Sequence, residues 1–184
     1  MNKEILELVK LTPDLRLALV EMAEDFQAAG ETRYRNILQM NDEAFFAYLR
    51  DLESDAKEED PPSNIVPQTT YWLLRGGETL IGSCRLRLRL TQPLEHESGH
   101  IDYHIRPAER EKGYATQLLE LCLERAREKE LKHVILICDA DNQASRKAIE
   151  KNGGILIENT TSRKSGKPIL RYRINLEDQK KPSK

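Results

Sequence analysis

The chain has 184 residues, 39% of them hydrophobic and 33% charged, with a net charge of −2. That length supports one domain with a real core, expected over residues 1–176 with a disordered tail at 177–184. The slight acidity argues against a general nucleic-acid binder, and no run approaches the roughly 18 apolar residues of a membrane span. In chain order, Glu4 to Leu11 reads as a strand. Thr12-Pro13-Asp14 opens a helix with inward Leu15, Leu19, Met22, Ala23 and Phe26, ended by Gly30. A second helix is expected over Asn41 to Leu52, then an acidic, proline-containing loop from Asp51 to Asn64. Strands follow at Gln68 to Leu74, Glu78 to Leu90 and Gly99 to Arg106, the first two joined by the hairpin turn Arg75-Gly76-Gly77. A helix over Tyr114 to Lys129, a strand over Lys132 to Cys138 and a helix over Gln143 to Asn152 come next. A last hairpin pairs Gly154 to Glu158 with Ile169 to Asn175 across a basic connection, Asn159 to Pro168.

The segment Arg110-Glu111-Lys112-Gly113-Tyr114-Ala115-Thr116 carries the most information. It links a strand to an amphipathic helix whose apolar positions are Ala115, Leu118, Leu119, Cys122 and Ala126. A basic, glycine-containing turn at a helix N-terminus offers backbone N–H groups and the positive end of the dipole to a phosphate. Alone it reads equally as an ordinary turn. A second segment stands beyond the next strand: Asn142, Ser145 and Gly153 frame a short helix. The cysteines Cys84, Cys122 and Cys138 lie singly in apolar runs, which predicts reduced thiols and a cytoplasmic location. The four histidines are scattered without partners at ligand spacing, so no metal is expected.

Taken together these segments resemble the GNAT superfamily, the Gcn5-related N-acetyltransferases. Arg110-x-x-Gly113-x-Ala115 matches the first family signature, and Asn142, Ser145 and Gly153 match the second in order, with one helix and one strand between. Gly99-His100-Ile101-Asp102-Tyr103 is similar to a bacterial group of predicted acetyltransferases carrying Gly-His-Ile-x-Tyr before this loop. The resemblance covers about Glu4 to Leu176. It implies an α/β fold, a GNAT-type mixed β-sheet flanked by helices in the order β-α-α-β-β-β-α-β-α-β-β, and acetyl-CoA as cosubstrate. The implied activity is transfer of an acetyl group to a primary amine of a small molecule or peptide in a ternary complex. The alternative on the same scaffold is a non-catalytic acyl-CoA-binding regulator. Expected partners are that amine and at most a second copy of the chain, with neither nucleic acid nor membrane.

The resemblance assigns cofactor contacts to Ile105 and Arg106 at the strand end, to Arg110, Glu111, Lys112, Gly113, Tyr114, Ala115 and Thr116 in the loop, and to Asn142 and Ser145. Asn142 reads equally as a helix N-cap, and both roles are compatible. For catalysis the candidates are His104 as base with Asp102 beside it, and Tyr103, Tyr114 or solvent as the acid. His100, Asp102 and His104 share a strand face by period-two alternation. His104 also reads as a satisfied structural histidine. Many family members place a tyrosine acid seven residues after the asparagine; here Ile149 stands there and cannot donate a proton. The alternation Arg85-Leu86-Arg87-Leu88-Arg89-Leu90 reads as a strand with a solvated arginine face, and less readily as an anion-recognising one. The acidic run Asp51 to Asp60 is expected to be solvated.

Overall fold

The computed structural model describes residues 5–57 and 66–177. Glu4, half of the expected acidic loop and the tail beyond Glu177 lie outside them. Every expected element is present in the expected order, with one helix, α3, inserted: β1 (Leu6–Val9), α1 (Arg16–Ala28), α2 (Asp42–Asp55), β2 (Gln68–Arg75), β3 (Thr79–Arg87), α3 (Gln92–Glu97), β4 (Ile101–Ile105), α4 (Tyr114–Glu128), β5 (His133–Asp139), α5 (Gln143–Lys151), β6 (Ile155–Thr161) and β7 (Pro168–Asn175). Helix α3 is the addition, formed in the stretch between the expected strands Glu78 to Leu90 and Gly99 to Arg106. Strand β3 stops at Arg87, and α3 begins at the proline-containing Gln92-Pro93, a favoured helix start. The acidic loop begins later than expected, because α2 continues through Asp55. The last hairpin is longer, so the basic connection shrinks to residues 162–167.

Local chemistry sets several of these ends. Asn41 caps α2, its side chain accepting the Ala44 N–H at 2.9 Å. Thr12 makes no such bond; the chain instead takes a 3-10 turn at Pro13–Leu15 before α1 begins. Gly113 precedes α4 at φ +87°, a left-handed conformation that L side chains adopt only with strain.

The strands form two antiparallel sheets, β1-β2-β3-β4 and β5-β7-β6. Helices cover both faces of the first. The run Tyr71-Trp72-Leu73-Leu74 is apolar throughout because alternate residues enter different cores. Tyr71 and Leu73 join Leu118, Leu119, Cys122 and Ala126 of α4. Trp72 and Leu74 join Leu19, Met22 and Phe26 of α1 and Phe45 of α2. The first core continues into the second sheet through Val134, Leu136, Leu170, Tyr172 and Ile174.

Among the described residues the backbones of the two sheets are joined by one bridge, Gly99 to Leu136. Beside it the His100 N–H donates to Ile135 O at 2.7 Å, and the Ile135 N–H donates to His100 Nδ1 at 3.0 Å. From there β4 and β5 run on without a ladder between them. His100 is therefore a structural residue of this junction. Burial, with His133 and Arg87 nearby, lowers its pKa to about 4, and the neutral ring keeps Nδ1 free to accept. The strand face expected to carry His100 with Asp102 and His104 thus loses its first member to the junction.

Candidate active site

Strand β4 is the element that organises the site. Its ladder with β3 pairs Gly82 with Ile105, Ser83 with His104 and Arg85 with Asp102. The Arg106 N–H donates to Ile81 O at 2.9 Å, and the Arg87 N–H to His100 O at 2.8 Å. In an antiparallel ladder the backbone groups alternate in direction, so those of Tyr103 and Ile105 point away from β3, into the space between β4 and β5. Side chains alternate too. Asp102 and His104 face a cavity on the α1–α2 side, while Ile101, Tyr103 and Ile105 belong to the α4 side.

At the end of β4 the chain makes a 3-10 turn, Pro107–Glu109, and then the loop to α4. Glu111 and Gly113 both have positive φ, +64° and +87°. No side chain caps α4, so its first turn is open to an anion. The loop's cations already have partners. Arg110 reaches Glu31 at 2.7 Å, lies 5.8 Å over the Phe26 ring and donates to Ile105 O at 3.2 Å. Lys112 binds Glu109 at 2.9 Å. The loop's pull on an anion therefore rests first on backbone amides and the helix dipole. Tyr114 is buried, with Arg75 donating to its hydroxyl at 3.3 Å. Ala115 packs against the core, and the Thr116 carbonyl accepts from Asn152 at 3.1 Å. Arg106 turns to the α1 side: its N–H is used by Ile81 and its guanidinium is bonded to Asp25, so it braces β4 against α1.

Across the gap, Asn142 caps α5, accepting the Ser145 N–H at 3.0 Å. The Tyr103 hydroxyl lies 2.9 Å from Ser145 Oγ and donates to Ser145 O at 3.3 Å. Burial pushes the Tyr103 phenol up to about 12, so it stays protonated at neutral pH. Cys138, at the end of β5, is buried and its thiol is pushed up to about 11 for the same reason. Ile149 does not border this gap; it is fully buried in the first core. Ile149→Tyr is expected to overpack that core and destabilise the fold by about 1–3 kcal/mol. A denaturation midpoint equal to the parent's would show instead that the site yields.

The cavity on the other side of β4 has a volume of about 260 Å³. Its floor is Ser83, Arg85, Asp102 and His104, and its walls include Arg33, Tyr34, Tyr48, Asp51 and Asp55. His104 Nε2 lies 3.8 Å from Asp102 Oδ1. Asp102 is held by Arg87 at 2.7 Å, and Arg87 also donates to Gly99 O at 3.1 Å. Arg87 is only 5% exposed, which corrects the expected solvated arginine face: the strand's polar side looks into a covered cavity. Burial first, then the Arg33 charge, lowers the His104 pKa to about 4; Asp102 opposes this and Arg85 adds to it. The catalytic candidates therefore do not form one cluster. Asp102 and His104 face the cavity, and Tyr103 faces the gap. Asp51 and Asp55 are exposed, as expected, and also line the cavity's rim because α2 extends over β2. Tyr48 reads from the sequence as an inward position of the second helix, and it lines this cavity; Tyr34 was not singled out, because it sits at φ +62° in an irregular segment that carries no periodic signal.

An acetyltransferase (GNAT) domain family matches residues 6–155, most of the chain. The chain belongs to the GNAT acetyltransferases. Solved GNAT structures share its fold at low sequence identity. RimL, a ribosomal L7/L12 alpha-N-protein acetyltransferase solved with coenzyme A, is 15% identical with a TM-score of 0.66, covering 95% of this chain and 96% of that one. Mycobacterium smegmatis RimJ, solved with a CoA-disulfide, is 14% identical with a TM-score of 0.71, covering 96% and 84%. A GNAT-family acetyltransferase from Bacillus anthracis is 16% identical with a TM-score of 0.62, covering 96% and 98%. No curated protein sequence matches the chain. As a GNAT acetyltransferase the protein uses acetyl-CoA as acetyl donor. Among the described residues no helix is long and apolar enough to cross a membrane, and no group of three or more histidine, cysteine, aspartate or glutamate side chains is placed to hold a metal.

Proposed function

We propose that this GNAT acetyltransferase moves the acetyl group directly from acetyl-CoA to a primary amine of a small molecule or peptide within a ternary complex. The observation that carries this reading is that β4 separates two openings. The uncapped loop and the unpaired gap lie on one side, and a polar cavity holding a neutral histidine lies on the other. In this scheme the amides of residues 110–116 cradle the pyrophosphate, and the pantetheine arm follows the gap past Asn142 and Ser145. The Ile105 N–H, which points into the gap, polarises the thioester carbonyl and stabilises the oxyanion. The amine arrives from the cavity and His104, oriented by Asp102, accepts its proton. Tyr103, protonated and beside Ser145, supplies a proton to the leaving thiolate. The raised Cys138 thiol is a poor nucleophile, which favours direct transfer over an acetyl-cysteine intermediate. The three buried, free cysteines favour a reducing, cytoplasmic setting, and we place the activity in a single domain.

Thiol release from acetyl-CoA with a panel of amines tests the reaction, and Gly113→Val tests the cofactor placement. At φ +87° a β-branched residue is strained and crowds the anion path, although no protein atom lies within 4 Å of the added Cβ. Calorimetric affinity for acetyl-CoA is expected to fall about tenfold or more. Unchanged affinity in a folded variant would remove the loop from the assignment.

A further inference from the structure

The floor of the cavity carries a guanidinium, that of Arg85, with no anionic partner among the described residues. Asp102 faces Arg85 in register across β3 and β4, yet its carboxylate is taken by Arg87 on the same strand. Arg85 is left half-buried in the cavity wall. Its Nε is buried without a hydrogen-bond partner, and no described carboxylate forms an ion pair with it. A partly desolvated guanidinium is stabilised by an anion placed in its fork. Asp51 and Asp55 stand at the cavity's exposed rim, on α2, and Gln68 donates to Asp55 at 3.1 Å. Across the sheet from the gap the cavity therefore presents His104, then Arg85, with the acids of α2 at its exposed rim. His104 pairs with Ser83 and Asp102 with Arg85, so Arg85 stands diagonal to His104, about 7–8 Å away along the sheet face, a separation that a short amino acid spans once the two long side chains lean toward each other. A volume of about 260 Å³ is below the roughly 300–1,000 Å³ of sites for drug-sized ligands, which limits the occupant to a compact molecule.

We propose that the acceptor is a compact amino-carboxylic acid, its amine presented to His104 and its carboxylate held by Arg85. The inference rests on the acetyl-transfer reading above and adds the acceptor's chemical class. The positive floor is also felt by His104, whose proton affinity Arg33 and Arg85 both lower. A carboxylate bound there offsets those charges without competing for Asp102, which Arg87 keeps in place.

The test compares three matched sets by thiol release: free amino acids, their carboxamides and the amines left by decarboxylation, with putrescine and spermidine added. The expected result is kcat/KM at least tenfold higher for the best acids than for their carboxamides. Arg85→Gln is expected to raise KM for those acids at least tenfold and to bring the acid-to-carboxamide ratio close to one, with calorimetric affinity for acetyl-CoA retained. Should Arg85→Gln fail to fold, Arg85→Lys keeps the charge, loses the fork and is expected to lower the same ratio. Preference for carboxamides, decarboxylated amines or polyamines would overturn the proposal while leaving acetyl transfer intact. An equal loss for all acceptors in either variant would overturn it too. Acetyl-CoA binding with no amine acetylated in any set would overturn both readings.

Discussion

Replacing His104 with alanine is expected to lower turnover by about 10²-fold or more, the usual contribution of a general base, while affinity for acetyl-CoA is retained. The pH profile is the sharper readout. An ordinary histidine would give an ascending limb near 6.5, but burial and the charges of Arg33 and Arg85 hold this one at about 4. His104 is then unprotonated through the neutral range, and the limb it produces in kcat/KM lies near pH 4. His104→Ala should abolish that limb; acetate or imidazole added to the assay then offers a replacement base. Folding must be followed alongside, because the same shift links to stability. Between about pH 6.5 and 4 the unfolded chain takes up protons at His100 and His104 that the folded chain refuses. Stability therefore falls as pH drops through that window, and the loss levels off below about 4. Thermal melts at each pH separate the two effects. Full activity with an unchanged profile in His104→Ala would move the base to Asp102 or to water.

Gly99→Ala is expected to destabilise the protein by about 2–4 kcal/mol, from left-handed strain and overpacking together. Gly99 has φ +72°, and a Cβ there would stand 2.4 Å from Ile135 O and 3.0 Å from Ile135 C. Those are backbone atoms of the strand that the junction binds. The clash cannot be relieved without lengthening the 2.7 Å bond from the His100 N–H to Ile135 O. For a chain of this size the melting temperature should drop by roughly 4–16 °C. Gly113→Ala is the matched control, since its added Cβ meets no atom within 4 Å and only the conformational strain remains. Equal denaturation midpoints for the two variants would mean that the junction adapts and that the sheets are held by their shared core instead.

The elements that carry the proposed cofactor half of the site, the loop before α4 and the cap of α5, were legible in the sequence because their signals are local. Gly113 before an apolar 3.6-residue repeat defines α4, and Asn142 ahead of Ser145 defines the cap of α5; each is a matter of a few consecutive residues. The acceptor half was not, because alternation shows which residues share a face and not what covers it. Arg85, Arg87, Asp102 and His104 were assigned to their strand sides correctly. That α2 and the segment around Tyr34 roof over those sides depends on contacts between distant parts of the chain. His100 left its face for the same reason: its ring is bound by the Ile135 N–H, 35 residues away. Ile149 matches the family's tyrosine position by count, but its neighbours in space are core residues, which counting along the chain does not report.

The one-sided ladder of β4 has a further consequence. In the middle of the molecule this strand behaves as the edge of a sheet, with the amides of Tyr103 and Ile105 directed into the gap. Exposed edges elsewhere recruit an added strand. Here the partner that fits is an extended, amide-bearing arm such as pantetheine, which would complete the sheet by augmentation. The backbone would then show its state in isotope exchange: amides of His104 and Arg106 protected throughout, those of Tyr103 and Ile105 labile until the arm is bound.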